Sequence, residues 1–425
     1  MRKLLFFVVA TCLAVAVAAC DKYNGNGVAT CHQSNPGYAG GPVICAGSPA
    51  QEEYAHVADN PAHTAADEPL STFSIDVDTA SYTNVRRYLN DGQLPPADAV
   101  RVEEFINYFD YDYPQATAGE TFSVQTELHA CPWQPGNKLA LIAIKGKRLA
   151  AEEVPPMNLV FLVDVSGSMA SNDKLPLVKQ TLNLMLEQLS ERDRIALVVY
   201  AGKSGLALDS MSCRHKGRIQ DAINRLAAGG STAGGTGIQL AYQIAQNNFL
   251  PGGVNRVILC TDGDFNVGIT DAAALEQLIT AKRATGVYFT VLGYGMGNLK
   301  DNRLEMLADS GNGNYAYIDS EDEARKIFVD QCGSTLIPIA NDVKIQVEFN
   351  PARVRSYRLI GYETVCCKTA ILRMTRKMPE KSARAIRWRR FMKSNRLAAM
   401  TRRRGLRSVI RACVNRRIRL RSGCL

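Results

Sequence analysis

Histidine is scarce in this chain, with five copies in 425 residues, and none of His32, His56, His63, His129 and His215 is spaced as a zinc ligand. No Cys-x-x-Cys pair occurs either, so a structural zinc site is not expected. The glycine-rich loops lack the Gly-Lys-Ser/Thr ending of a phosphate-binding loop. Gly293-Tyr-Gly295-Met-Gly297 follows a strand too late in its sheet for a dinucleotide fingerprint. No histidine stands near Ser166 or Ser168 in a recognisable hydrolase arrangement, so no catalytic residue is assigned and no enzyme is expected. Acids are nearly missing from one end: the last 60 residues hold 16 Arg and 4 Lys against Glu380 alone, leaving 30 bases and 40 acids in the first 365. The net charge of +9 therefore conceals an acidic body, which argues against nucleic acid as the partner. With 46% hydrophobic residues, the chain is too apolar to be disordered.

The N-terminus has Arg2 and Lys3, an apolar run from Leu4 to Val17, and then Val17-Ala18-Ala19-Cys20. That run falls short of the roughly 20 residues of a membrane span and ends in small residues, as a secretory signal does. It resembles the lipobox of bacterial lipoproteins, which implies lipidation of Cys20 as the first mature residue. By the same resemblance, Asp21 implies retention at the periplasmic face of the inner membrane, with the outer membrane as the other address. An extracytoplasmic location permits disulfides among Cys31, Cys45, Cys131, Cys213, Cys260 and Cys332 without identifying a pair.

The expected organisation is a signal over 1–19, a flexible tether over 20–69 and a small α/β module over 70–120. Strands of a β-sandwich follow over 121–150, an α/β domain over 156–338, and further sandwich strands over 339–363 that complete the sheet begun at 122–148. The tether rests on Gly, Asn and Pro without apolar periodicity. The α/β domain rests on the buried-strand runs 158–163, 194–200, 256–260 and 287–292. These alternate with helical patterns after 175 and at 216–227, 237–248, 271–285, 302–309 and 320–332. The pattern predicts a doubly wound, mainly parallel sheet. The Arg-rich tail, 364–425, shows neither heptads nor an apolar stripe. Its abrupt change of composition is that of a shifted reading frame beginning near Thr364, with a genuine basic arm as the rival reading.

Ligands of such sheets bind at the carboxyl ends of strands where the strand order reverses. There the sequence places Asp164-Val-Ser166-Gly-Ser168, the loop Gly230-Ser231-Thr232, and Thr261-Asp262-Gly263. Two carboxylates and three hydroxyls suit a small hard cation, Mg²⁺ or Mn²⁺. The three segments resemble the metal-ion-dependent adhesion site of von Willebrand factor A domains. That resemblance implies Ser166, Ser168 and Thr232 as direct or nearly direct ligands, with Asp164 and Asp262 acting directly or through water. The wider match over 70–363 resembles bacterial A-domain lipoproteins of the cell envelope. It implies a lipid-anchored binding protein that captures an acidic side chain of a protein partner through the bound cation. A scaffold with a vestigial or stabilising metal site, and a metal-dependent hydrolase, are the alternatives.

Overall fold

The computed structural model describes residues 52–56, 58–75, 77–117, 119–201, 203–229, 235–263, 272–297, 299–363 and 421–423. The signal, Cys20, most of the tether, Thr232 and nearly all of the tail lie outside the described residues.

The centre of the described body is a six-stranded sheet. Its strands are β5 (Met157–Asp164), β6 (Arg194–Ala201), β7 (Lys203–Ser212), β8 (Val254–Thr261), β9 (Val287–Tyr294) and β10 (Tyr315–Ile318), in the order β10-β9-β8-β5-β6-β7. All neighbours run parallel except the edge strand β7, which turns back on β6. Every residue of β5 and β8 is buried, which explains their unbroken apolar runs: both faces are covered, so nothing selects for polar alternation. Alternation persists only in which face is reached. Leu159, Phe161 and Val163 join the core beneath α3 (Leu175–Gln188) and α4 (Lys216–Asn224). Val160 and Leu162 join the core beneath α5 (Gly235–Asn247), α6 (Ala272–Arg283) and α7 (Asp301–Ser310). The sequence pattern missed β7, whose residues are largely half-buried or exposed, and the four-residue β10.

One long helix expected over 320–332 is three pieces: α8 (Glu321–Arg325), a π turn (Lys326–Asp330) and α9 (Cys332–Leu336). Ala324, Ile327, Phe328 and Leu336 nevertheless all reach the core. Ser320 caps α8, its Oγ accepting from the Glu323 N–H at 3.3 Å. Ser320→Ala should therefore cost about 1 kcal/mol, read as a lower urea midpoint with an unchanged slope.

The flanking segments are docked on this body. The short β1 (His63–Thr64) pairs with β12 (Ser356–Tyr357). Strand β2 (Leu70–Ser74) leads into α1 (Ala80–Asn90), a 3₁₀ turn at 97–99 and α2 (Val102–Asn107). From α1, the Thr83 hydroxyl donates to the Tyr317 carbonyl at 2.9 Å. Arg86 reaches Asp319 and Glu323, and Arg101 just before α2 grips Glu305 with two nitrogens.

Two expectations change here. Hairpin strands β3 (Phe122–Ala130) and β4 (Lys138–Gly146) pair only with each other among the described residues. β11 (Asn341–Glu348) pairs instead with β2 and with the short β13 (Arg421–Gly423). The late strand thus does not extend the hairpin sheet. The two layers meet through side chains instead, with Ile142 and Ile144 of β4 packing on Phe73, Ile345 and Val347. The tether also stops short of 69. Ala65 is fully buried, and Glu53 N–H donates to the Leu299 carbonyl at 2.9 Å while Asp301 N–H donates back to Glu53 at 3.1 Å. Glu52 is tied down by Arg87, Tyr54 and Tyr88 and accepts the Gly297 N–H at 2.9 Å. Few apolar side chains are needed for this attachment, so composition reads the segment as linker.

Candidate metal-ion-dependent adhesion site

From β5 the chain goes out to β6 on one side and later returns to β8 on the other, so strand order reverses at the carboxyl ends of β5 and β8. Asp164 is the last residue of β5, and Asp262 directly follows β8. Both are fully buried. The topology thus brings two carboxylates to one rim of the sheet, at the place where such folds hold ligands.

Asp164 Oδ1 accepts the Ser166 N–H at 2.8 Å, closing a turn that sends the chain into the 3₁₀ segment Gly167–Ala170. This turn brings the Ser166 and Ser168 hydroxyls within 3.0 Å of each other. Oδ2 of Asp164 is buried without a well-aligned donor, although the nearby Tyr200 phenol still favours the ionised form. Burial pushes the Asp164 carboxyl up to about 6; the Ser166 and Tyr200 hydrogen bonds oppose the rise, and the charge of Asp262 adds to it. A buried acid with a poorly met oxygen is costly unless a cation or a better-placed donor meets it.

The loop that carries Thr232 leaves from the same corner, because Gly229 donates its N–H to the Val165 carbonyl at 2.8 Å. Thr232 itself is outside the described residues. Four of the five residues singled out for the metal therefore have a described place: Asp164, Ser166 and Ser168 share one turn, and Asp262 lies on the neighbouring strand end. Among the described residues, no three His, Cys, Asp or Glu side chains cluster to hold a metal, so a cation here would depend on hydroxyl oxygens. The donor set and the poorly met Asp164 Oδ2 fit a small hard cation.

One participant was not found by sequence reasoning. Lys174 Nζ donates to Asp262 Oδ2 at 2.8 Å, with the lysine side chain 9% exposed. A lysine just before a helix reads as a surface residue, and nothing in its spacing distinguishes it. The described cysteines Cys131, Cys213 and Cys260 are buried and free, and burial pushes the Cys213 and Cys260 thiols up, so those two offer no thiolate.

A family model for the von Willebrand factor type A domain matches residues 158–330, the span that contains this sheet and its rim. The chain is a von Willebrand factor type A (vWA) domain protein. A model described as von Willebrand factor matches residues 48–141, and one described as the C-terminal part of uncharacterized protein YfbK matches residues 334–370, running past Thr364. The vWA chain is 47% identical over 323 residues to uncharacterized protein YfbK of Escherichia coli (strain K12), covering 74% of this chain and 56% of that protein. It is 28% identical over 187 residues to uncharacterized protein sll0103 of Synechocystis sp., covering 44% and 43%. It is 32% identical over 149 residues to human inter-alpha-trypsin inhibitor heavy chain H4, covering 33% and 16%. The chain thus spans little more than half the length of the first of these relatives and less of the others. Among solved structures, a von Willebrand factor type A protein from Catenulispora acidiphila aligns at 18% identity with a TM-score of 0.40, covering 54% of this chain and 53% of that one.

Proposed function

We propose that this chain is a cell-envelope binding protein whose vWA domain captures an acidic side chain of a protein partner with the help of a divalent cation, Mg²⁺ or Mn²⁺. Asp164, Ser166, Ser168, Thr232 and Asp262 would hold the cation, and lipid at Cys20 would keep the protein at the membrane. When bound, the cation supplies a positive centre able to attract a carboxylate. The observation that carries the reading is the buried Asp164 Oδ2, left without a well-aligned donor beside two hydroxyls that its own turn has brought together. Likeness to a protein named as a heavy chain of an inhibitor supports interaction over catalysis.

The test is a thermal titration of the full chain with Mg²⁺ and with Mn²⁺, because an ion that binds only the native state stabilises it by RT ln(1 + [L]/Kd). At an ion concentration about 100 times Kd the gain is about 2.7 kcal/mol. The parent should shift upward and Asp164→Ala should not. A folded parent that ignores both ions would end the adhesion reading. One observation favours the scaffold reading as second choice: Lys174 already offsets the charge of Asp262, so the rim is held together by the protein alone.

A further inference from the structure

We infer that Lys174 is a tethered cation that occupies Asp262 in the metal-free protein and that a divalent ion must displace, so that this side chain sets the affinity of the site. The inference rests on the metal-dependent reading above and adds to it a residue outside the five.

Lys174 lies at the N-terminal end of α3, ten positions beyond Asp164, and its ammonium sits 2.8 Å from Asp262 Oδ2 with the carboxylate fully shielded from solvent. The reach is built into the fold. Its aliphatic stem runs over Gly295, where an added Cβ would overlap Cγ, Cδ and Cε of the lysine, and Gly295 holds a φ of +69°. The carbonyl of Gly295 accepts the Tyr317 hydroxyl at 2.8 Å, which fixes that stretch of backbone. A bare glycine on a pinned loop leaves a channel for the stem, and the stem delivers the ammonium to the rim.

An ammonium only donates hydrogen bonds, so it cannot add an oxygen to a metal's coordination. Its charge repels a dication drawn to the same carboxylates. With Lys174 in place, Asp164 and Asp262 together with the lysine carry a single net negative charge; without it they carry two. Removing the ammonium therefore acts in opposite directions on two quantities. The metal-free protein loses the cation paired with a buried carboxylate and becomes less stable. The site meanwhile becomes more attractive to a dication. A salt bridge with a merely structural role would move stability alone, and a lysine that positioned Asp262 for the metal would lower both on removal.

Free Mn²⁺ followed by electron paramagnetic resonance during titration of the full chain reads the affinity directly. Unfolding of the metal-free protein reads the stability. Lys174→Met and Lys174→Gln should bind Mn²⁺ about tenfold or more tightly than the parent while melting at lower temperature without metal. Lys174→Arg, which keeps the charge, should bind no more tightly than the parent. If Lys174→Met does not fold, Lys174→Gln, with a polar end able to bond to Asp262, carries the test. Unchanged or weaker binding by the neutral variants, in a parent whose binding is lost in Asp164→Ala, overturns the role of Lys174 and leaves the site standing. Absence of Mn²⁺ binding from parent and neutral variants alike, or binding indifferent to Asp164→Ala, overturns the site reading and this inference with it.

Discussion

Asp164→Asn should unfold at a higher denaturant concentration than the parent when both are free of metal above about pH 6, by about 3 kcal/mol of unfolding free energy. The cause is the buried carboxyl, raised from 3.8 to about 6 by loss of solvent, with the charge of Asp262 contributing. Between those two values the folded state binds the proton more tightly than the unfolded chain does. Stability of the parent therefore falls as pH rises through that window and stays at the lower level above it. An asparagine keeps an oxygen for the Ser166 N–H and never ionises. The advantage of the variant should accordingly vanish toward pH 4 and be complete above about pH 6. Urea unfolding of both proteins across this range checks it. Equal midpoints at neutral pH would mean that the ionised carboxylate is not a burden. The same variant should lose its response to Mg²⁺, so one substitution separates the stability of the rim from its use.

The second large effect lies in the docked N-terminal segment. Arg87→Met should destabilise the protein by about 3–5 kcal/mol, because it leaves the Glu52 carboxylate buried without its cation. Two guanidinium nitrogens of Arg87 donate to the two Glu52 oxygens at 2.8 Å each, and both side chains are almost fully shielded. Burial by itself would raise the Glu52 carboxyl. The Arg87 hydrogen bond, the Gly297 N–H, the Arg87 charge and the Tyr88 hydroxyl outweigh that and hold it at about 2. A lowered acid contributes stability that is present above its unfolded value of 4.5 and is lost as pH falls toward about 2. The parent should therefore show an acid-side loss of stability over this interval that Arg87→Met lacks. The double variant Glu52→Gln/Arg87→Met should recover part of the cost. A double variant no more stable than Arg87→Met alone would place the damage elsewhere than in the unpaired carboxylate.

What the sequence discloses and what it hides follow from how local each signal is. The turn from Asp164 to Ser168 was legible because its hydrogen bond spans two residues, and a run such as Asn158–Val163 announces burial on both faces. The pairing of β11 with β2 was not legible. Both strands alternate in the same way as β3 and β4, and alternation records which face is buried but not which neighbour supplies the backbone bonds. Lys174 was hidden for the same reason, since its partner is 88 residues away. Glu52 sits beside a stretch whose composition is that of a linker, yet one buried charge pair and a few backbone bonds suffice to dock it. The split of the last helix at Lys326–Asp330 left no mark on apolar spacing, because its core residues still reach the same cluster.

The parallel topology also orders events in time. Asp164 and Lys174 belong to the beginning of the domain, whereas Asp262 arrives only just after β8, once the β6–β7 hairpin and the helices α3, α4 and α5 have been threaded between. Closing the 88-residue separation between Lys174 and Asp262 carries a loop entropy that the nearer β5–β6 contacts do not, so the rim is expected to form together with the β5–β8 pairing and after β5–β6. An early folding chain has no paired carboxylates with which to gather a cation. Substitutions at Lys174 and Asp262 should therefore change the unfolding rate more than the folding rate, a split that stopped-flow unfolding and refolding of the variants would read.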